Sequence, residues 1–199
     1  MAFSTLRSAR QSWWLLYLRS ALFAGIGILL FFSGSPHPLV LNSLCVQMII
    51  AGWLAIYYRQ INQKRATNWF LFAGMLDILA GLALLFYIHN PNQGIVFILG
   101  AWGILIGIIQ AVEAMYVFIG LQTSGKNRDS SSTLIHFLNV LIYGGIAFIL
   151  LLQPLGEDSM QFVGWFFIAL SIALLFLTLR LQVDEEADMT GKDALVKEE

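Results

Sequence analysis

The stretch "WFLFAGMLDILAGLALLFYI", residues 69–88, carries one charged side chain, Asp77, in twenty residues. A surface helix of a soluble domain shows a polar face opposite its apolar stripe, and this stretch shows none. Twenty apolar residues in helical form reach about 30 Å, the thickness of the hydrocarbon core of a bilayer. Reading this segment as membrane-embedded decides the class of the chain.

The rest of the sequence follows suit. Of 199 residues, 58% are hydrophobic and 12% charged, with a mean hydropathy of +0.76, whereas soluble domains carry about 25% charged residues. Comparable apolar segments run from Trp13 to Phe32, Leu39 to Tyr58, Trp69 to Ile88, Ile95 to Ile119, Leu134 to Gln153 and Met160 to Arg180. The sequence therefore predicts an all-α integral membrane protein with six transmembrane helices. Residues 1–12 form an N-terminal segment, 13–182 the transmembrane domain and 183–199 an acidic tail.

Charge orients these helices. If they alternate in direction, every Lys and Arg falls on one side, from Arg7, Arg10 and Arg19 through Arg59, Lys64 and Arg65 to Lys126, Arg128 and Arg180. The loops of the other side, "SGSPHPL", "HNPNQG" and "QPLGEDS", hold only histidines and acids. The positive-inside rule then puts both termini in the cytoplasm of a multi-pass inner-membrane protein. A cleaved signal is the competing reading of residues 1–35, but Arg19 interrupts the apolar run and Pro36 follows the small-residue stretch "SGS". The tail from Val183 has seven acids against two lysines, a composition that predicts a solvated, disordered end.

The loops opposite the positive side also mark a repeat. Pro36, Pro91 and Pro154 each follow an apolar run, with Gly27, Gly81 and Gly145 nine or ten positions before them and Gly52, Gly107 and Ser171 sixteen or seventeen after. This spacing predicts three parallel-oriented helical hairpins, at about 13–58, 69–119 and 134–180, related by an axis along the membrane normal. Small residues let backbones approach in lipid, where no hydrophobic effect drives helices together. Gly27, Gly52, Gly81, Gly100, Gly103, Gly107, Gly145 and Ser171 are the expected packing positions, and "GILIG" at 103–107 is a small-xxx-small match.

The stretch "LRSALFAGIGILLFFSGSP", residues 18–36, with Arg19 eight positions before Gly27, resembles the HdeD-like short-repeat six-helix membrane proteins of bacteria. The likeness extends over residues 13–180. In the other two copies Ala73 and Phe137 stand in the place of Arg19, so a ring of three arginines is not carried over. The resemblance implies a bacterial inner-membrane protein linked to acid or general stress, and it supplies no catalytic residues.

Asp77 lies about 12 Å into its helix, too deep to reach water easily, where a carboxylate costs at least about 2.5 kcal/mol unless paired or protonated. It shares a face with Gly74 and Gly81, so it should point at other helices. Candidate partners for a buried polar cluster are Arg19, His136, Asn139 and Tyr143, with Glu113, Gln110 and Gln47 as further members. Burial disfavours a charged acid and an adjacent arginine favours it, so the partner decides whether Asp77 titrates. His37 and His89 sit in equivalent loops and read as ordinary solvated residues. Cys45 is the single cysteine, which excludes a disulfide framework or a multi-cysteine metal site.

No nucleophile elbow, HExxH, phosphate loop or dinucleotide fingerprint is present, so no enzyme and no cofactor are expected. The expected surroundings are a lipid bilayer, with a second copy or another membrane protein as partner and no nucleic acid. The favoured function is a non-enzymatic stress-linked protein acting through helix packing, oligomerisation or partner binding, because no proline breaks the third helix before Pro91. The alternative is a small transporter or channel for protons or a small solute, built on Asp77 and Arg19.

Overall fold

A computed structural model describes residues 12–33, 38–62, 68–87, 89–124, 130–152 and 159–196, with side chains excluded at 91–92, 117, 120–124, 130–136, 159–160, 180–181 and 183–196. The described chain is helical apart from short turns: α1 (Trp13–Ser33), α2 (Pro38–Ile61), α3 (Trp69–Leu85), a one-turn α4 (Pro91–Gly94), a π turn (Ile95–Leu99), α5 (Gly100–Ser124), α6 (Ser130–Leu152) and α7 (Ser159–Val196). Pro38 and Pro91 open their helices, where a missing N–H costs nothing. The backbone of α7 continues through Val196, so the acidic tail that composition marks as disordered is helical along most of its length.

Among the described residues four helices are long and apolar enough to cross a membrane: Trp13–Ser33, Pro38–Ile61, Ile95–Tyr116 and Gln161–Leu179. The expectation of six transmembrane helices is corrected by the other two, since Trp69–Leu85 and Phe137–Leu152 are shorter. At 17 residues, α3 spans about 26 Å against a hydrocarbon core of about 30 Å. It ends early because Phe86 and Tyr87 donate their N–H groups to Ala83 and Leu84, three residues back, and tighten the last turn. In α6 the apolar stretch among the described side chains is Phe137–Leu152. The long apolar helices make the chain a multi-pass membrane protein, and its outer surface fits: Phe32, Trp53, Leu141 and Phe176 are all exposed, as lipid-facing side chains are.

The two helices of each expected hairpin are not the most closely packed pairs. Helices close-packed against one another are α1 with α7, α2 with α3, and α5 with α6, so the tight pairs straddle the hairpin boundaries. The weaker contacts α1–α2, α6–α7 and α3–α5 close the arrangement into a ring. Glycine explains the choice. A Cβ on Gly27 would stand 2.7 Å from the Gly164 carbonyl, and one on Gly52 2.5 Å from that of Gly74, so these backbones touch. Gly81 meets the Cys45 carbonyl and Gly103 that of Tyr143 in the same way. Gly107 is looser against Tyr143, Gly100 rests on Leu151, Gly145 on the Phe166 ring, and Ser171 shares hydrogen bonds with Ser20.

Inward-facing residues keep a common register. On α1 they are Leu15, Leu16, Arg19, Ser20, Phe23, Ile26, Gly27 and Leu30. On α3 the buried set is Trp69, Phe70, Ala73, Gly74, Asp77, Ala80, Gly81 and Leu84, the same pattern displaced by 54 residues. On α6 the buried set is Asn139, Ile142, Tyr143, Ile146, Ala147, Ile149 and Leu150. Ala147 packs against Gly103, whereas Gly145 meets the Phe166 ring instead of a backbone.

The helices run antiparallel to their close neighbours, since Gly52 opposes Gly74 and Cys45 opposes Gly81. Both ends of the bundle can therefore be told apart. At one end Tyr17 donates to Gln182, Asn62 to Ser12, and Arg59 to Asn68.

Candidate functional site

The inner face of α3 holds one ionised group, and the fold aims it at three other helices. Asp77 is fully buried and Arg19, from α1, is 1% exposed. The Arg19 Nη2 donates to Asp77 Oδ2 at 2.8 Å, forming a buried ion pair. The other carboxylate oxygen accepts the indole N–H of Trp102, on α5, at 2.9 Å. Both oxygens are thus engaged, one by a cation and one by a neutral donor.

Aromatic rings enclose the pair. The Arg19 guanidinium lies 5.4 Å from the centre of the Phe23 ring, close enough for a cation–π contribution. Phe167, on α7, stacks on Trp102 at 5.6 Å with the planes 7° apart, and on Phe23 at 6.0 Å. Tyr143, on α6, meets Trp102 edge-on at 5.3 Å. Five packed side chains from α1, α5, α6 and α7 therefore stand between the carboxylate and the lipid. In so apolar a shell the attraction between Arg19 and Asp77 is poorly screened, and their joint neutrality is what makes the charges tolerable.

Arg19 nevertheless keeps unused capacity. Its Nε and Nη1 are buried without hydrogen-bond partners among the described residues. Buried donors of this kind are uncommon in native structures.

Of the residues marked from sequence, the structure joins Arg19 and Asp77 directly and adds Tyr143 through the Trp102 ring. Asn139 is buried one turn from Tyr143, with its Oδ1 unpartnered. Gln47 is half-buried and turns away, donating to Ser43 Oγ at 3.3 Å. Gln110 is buried on α5 and Glu113 lies on the same helix, but Asp77 takes its hydrogen bonds from Arg19 and Trp102. The side chain of His136 and all of His37 lie outside the described residues, and His89 is exposed in the turn before α4. No three His, Cys, Asp or Glu side chains come together among the described residues.

Trp102, Phe23 and Phe167 escape a reading of the sequence because apolar side chains in apolar spans carry no contrast. One signal was available. Tryptophans of membrane helices gather at the interfaces, and Trp102 instead lies seven residues inside the span that starts at Ile95.

A local irregularity adjoins the site. The π turn ends at Leu99, less than one turn before Trp102, and packs against both α3 and α6. Such single turns are rare and concentrate at functional positions.

No family model matches the chain, no curated protein is similar to it, and no solved structure matches it. The HdeD-like resemblance consequently rests on the quoted stretch alone.

Proposed function

We propose that the protein is a non-enzymatic membrane transporter or channel for protons or a small solute, working through the Arg19–Asp77 pair. The observation that carries this reading is the pair itself, an ion pair wholly inside a helical membrane protein and ringed by aromatic side chains. Ionisable groups at such depth are costly and are found where ions or protons pass. A π turn beside Trp102 supplies the helix irregularity expected near such a pathway.

The test is pH-driven proton flux into proteoliposomes holding the native protein or the Asp77→Asn variant. The expected result is flux with the native protein and none with the variant, which, though less stable, still unfolds cooperatively above the assay temperature. Absence of flux in the native protein would sink the proposal.

Close glycine contacts such as Gly27–Gly164 and Gly52–Gly74 support a second reading, a packing or partner-binding protein of the acid or general stress response, as the HdeD-like resemblance implies. For orientation we place the Arg59 end, with both termini, in the cytoplasm of a bacterial inner membrane, on the asymmetry of Lys and Arg in the sequence.

A further inference from the structure

The two unpartnered N–H groups of Arg19 bear on what the site would carry, and the inference drawn from them rests on the transport reading. Arg19 is 1% exposed, Nη2 is spent on Asp77 Oδ2, and Nε and Nη1 have no acceptor among the described residues. A guanidinium presents its donors as a planar fork suited to anions. With Asp77 ionised, however, the pair is already neutral, and an added anion would leave a net negative charge in an apolar shell.

Protonation changes this balance. A proton from water placed on Asp77 Oδ2 ends the charge-assisted bond to Arg19, while Oδ1 can still accept from Trp102 as the carbonyl oxygen of the acid. The guanidinium then carries an uncompensated positive charge with Nη2, Nη1 and Nε all available. One monovalent anion restores neutrality, whereas an isolated ion in a low-dielectric site costs several kcal/mol. The site has two neutral states, ionised pair without anion and protonated acid with anion, and both half-loaded states are charged.

We infer that the Arg19–Asp77 site takes up one small monovalent inorganic anion together with one proton, so that transport through it is electroneutral. The rings of Phe23, Trp102 and Phe167 pack closely on one another, which favours a small anion over a bulky one. The groups that face Asp77 agree with this assignment. Arg19 comes from α1 and Tyr143 from α6, both close enough to interact electrostatically with it. From α2, Cys45 lies a turn away against Gly81. Among the described residues, α5 brings Trp102 to the carboxylate and α7 the uncharged Phe167 to its shell.

The experiment uses the full chain in proteoliposomes with the membrane potential set by potassium and valinomycin, an inward proton gradient, and chloride, nitrate or gluconate outside. The expected result is proton uptake with chloride or nitrate, its loss in gluconate, one anion entering per proton, and no change of rate with the imposed potential. Uptake that persists in gluconate, or that follows the potential, overturns the anion coupling and leaves the transport reading standing. No proton uptake in any medium overturns both. Asp77→Asn adds a separate readout, since a neutral amide leaves Arg19 open to anions. The variant should lose proton uptake yet still exchange labelled chloride, and loss of exchange in a variant that remains folded at the assay temperature overturns the proposal. The wild-type comparison needs no variant to fold.

Discussion

Arg19 and Asp77 stand out in the sequence because each is a lone charge inside an apolar run, where contrast with the neighbours is greatest. Depth put Arg19 within about one helical turn of Asp77 and so among its candidate partners, beside His136, Asn139 and Tyr143. The tryptophan on the second oxygen was not, because nothing in a hydropathy profile separates an indole that donates from one that merely packs. The pair's stability follows from its burial. Removing one member strands a charge in a shell without water, so Arg19→Leu and Asp77→Leu should each destabilise the protein by about 3–5 kcal/mol. The double variant Arg19→Leu/Asp77→Leu should cost less than either single change, because no charge is stranded. Denaturant unfolding in detergent micelles checks this, and a double variant as unstable as the sum of the singles would show that the pair is not the unit described. Trp102→Phe keeps a ring against Phe167 and removes the donor to Oδ1, and its expected cost is about 1–3 kcal/mol by the same measurement.

Glycine spacing in the sequence marks small faces but does not say which helix each one meets. Gly27 and Gly52 lie in one sequence hairpin and yet touch Gly164 and Gly74, because the direction a small face points is set by three-dimensional neighbours that loop positions do not reveal. The third copy departs for a related reason: a proline marks where a helix stops, and on α6 it is Ala147 that packs against Gly103 while Gly145 meets the Phe166 ring. The contacts differ in tolerance, which gives a paired prediction. Gly52→Ala puts a methyl group 2.5 Å from a backbone oxygen that cannot rotate away, so α2 and α3 must separate and the protein should lose about 1–3 kcal/mol. Gly144→Ala has nothing within 4 Å and should leave the melting temperature unchanged or slightly raised, Gly being the poorer helix former.

Among the described residues the bundle has four membrane-length helices and two shorter apolar ones, a distinction hidden in the sequence because the apolar runs look alike in length. What shortens α3 is the tightened turn at Phe86 and Tyr87, a backbone event rather than a change of composition. The class of the protein, by contrast, was plain from composition, since no arrangement of so few charged residues covers a soluble surface. Topology offers the fourth test. Cys45 is buried, so in a Cys45→Ala background single cysteines at Leu39 and Gln60, both exposed and at opposite ends of α2, report the two sides separately. An impermeant thiol reagent added to intact cells should label Leu39→Cys and spare Gln60→Cys, and the reverse would invert the orientation proposed from charge.

The π turn at Ile95–Leu99 makes aim and length independent in this helix. An α-helix advances about 100° per residue, so one residue taken out of Ile95–Leu99 would rotate everything before it against everything after it by that angle while shortening the rod by a small fraction of its length. With α5 held by its contacts to α6, the outer turns would swing; with the outer turns held, the indole of Trp102 would swing away from Asp77. A surplus residue of this kind is a phase setting, and here the phase is the one that brings an N–H to a carboxylate.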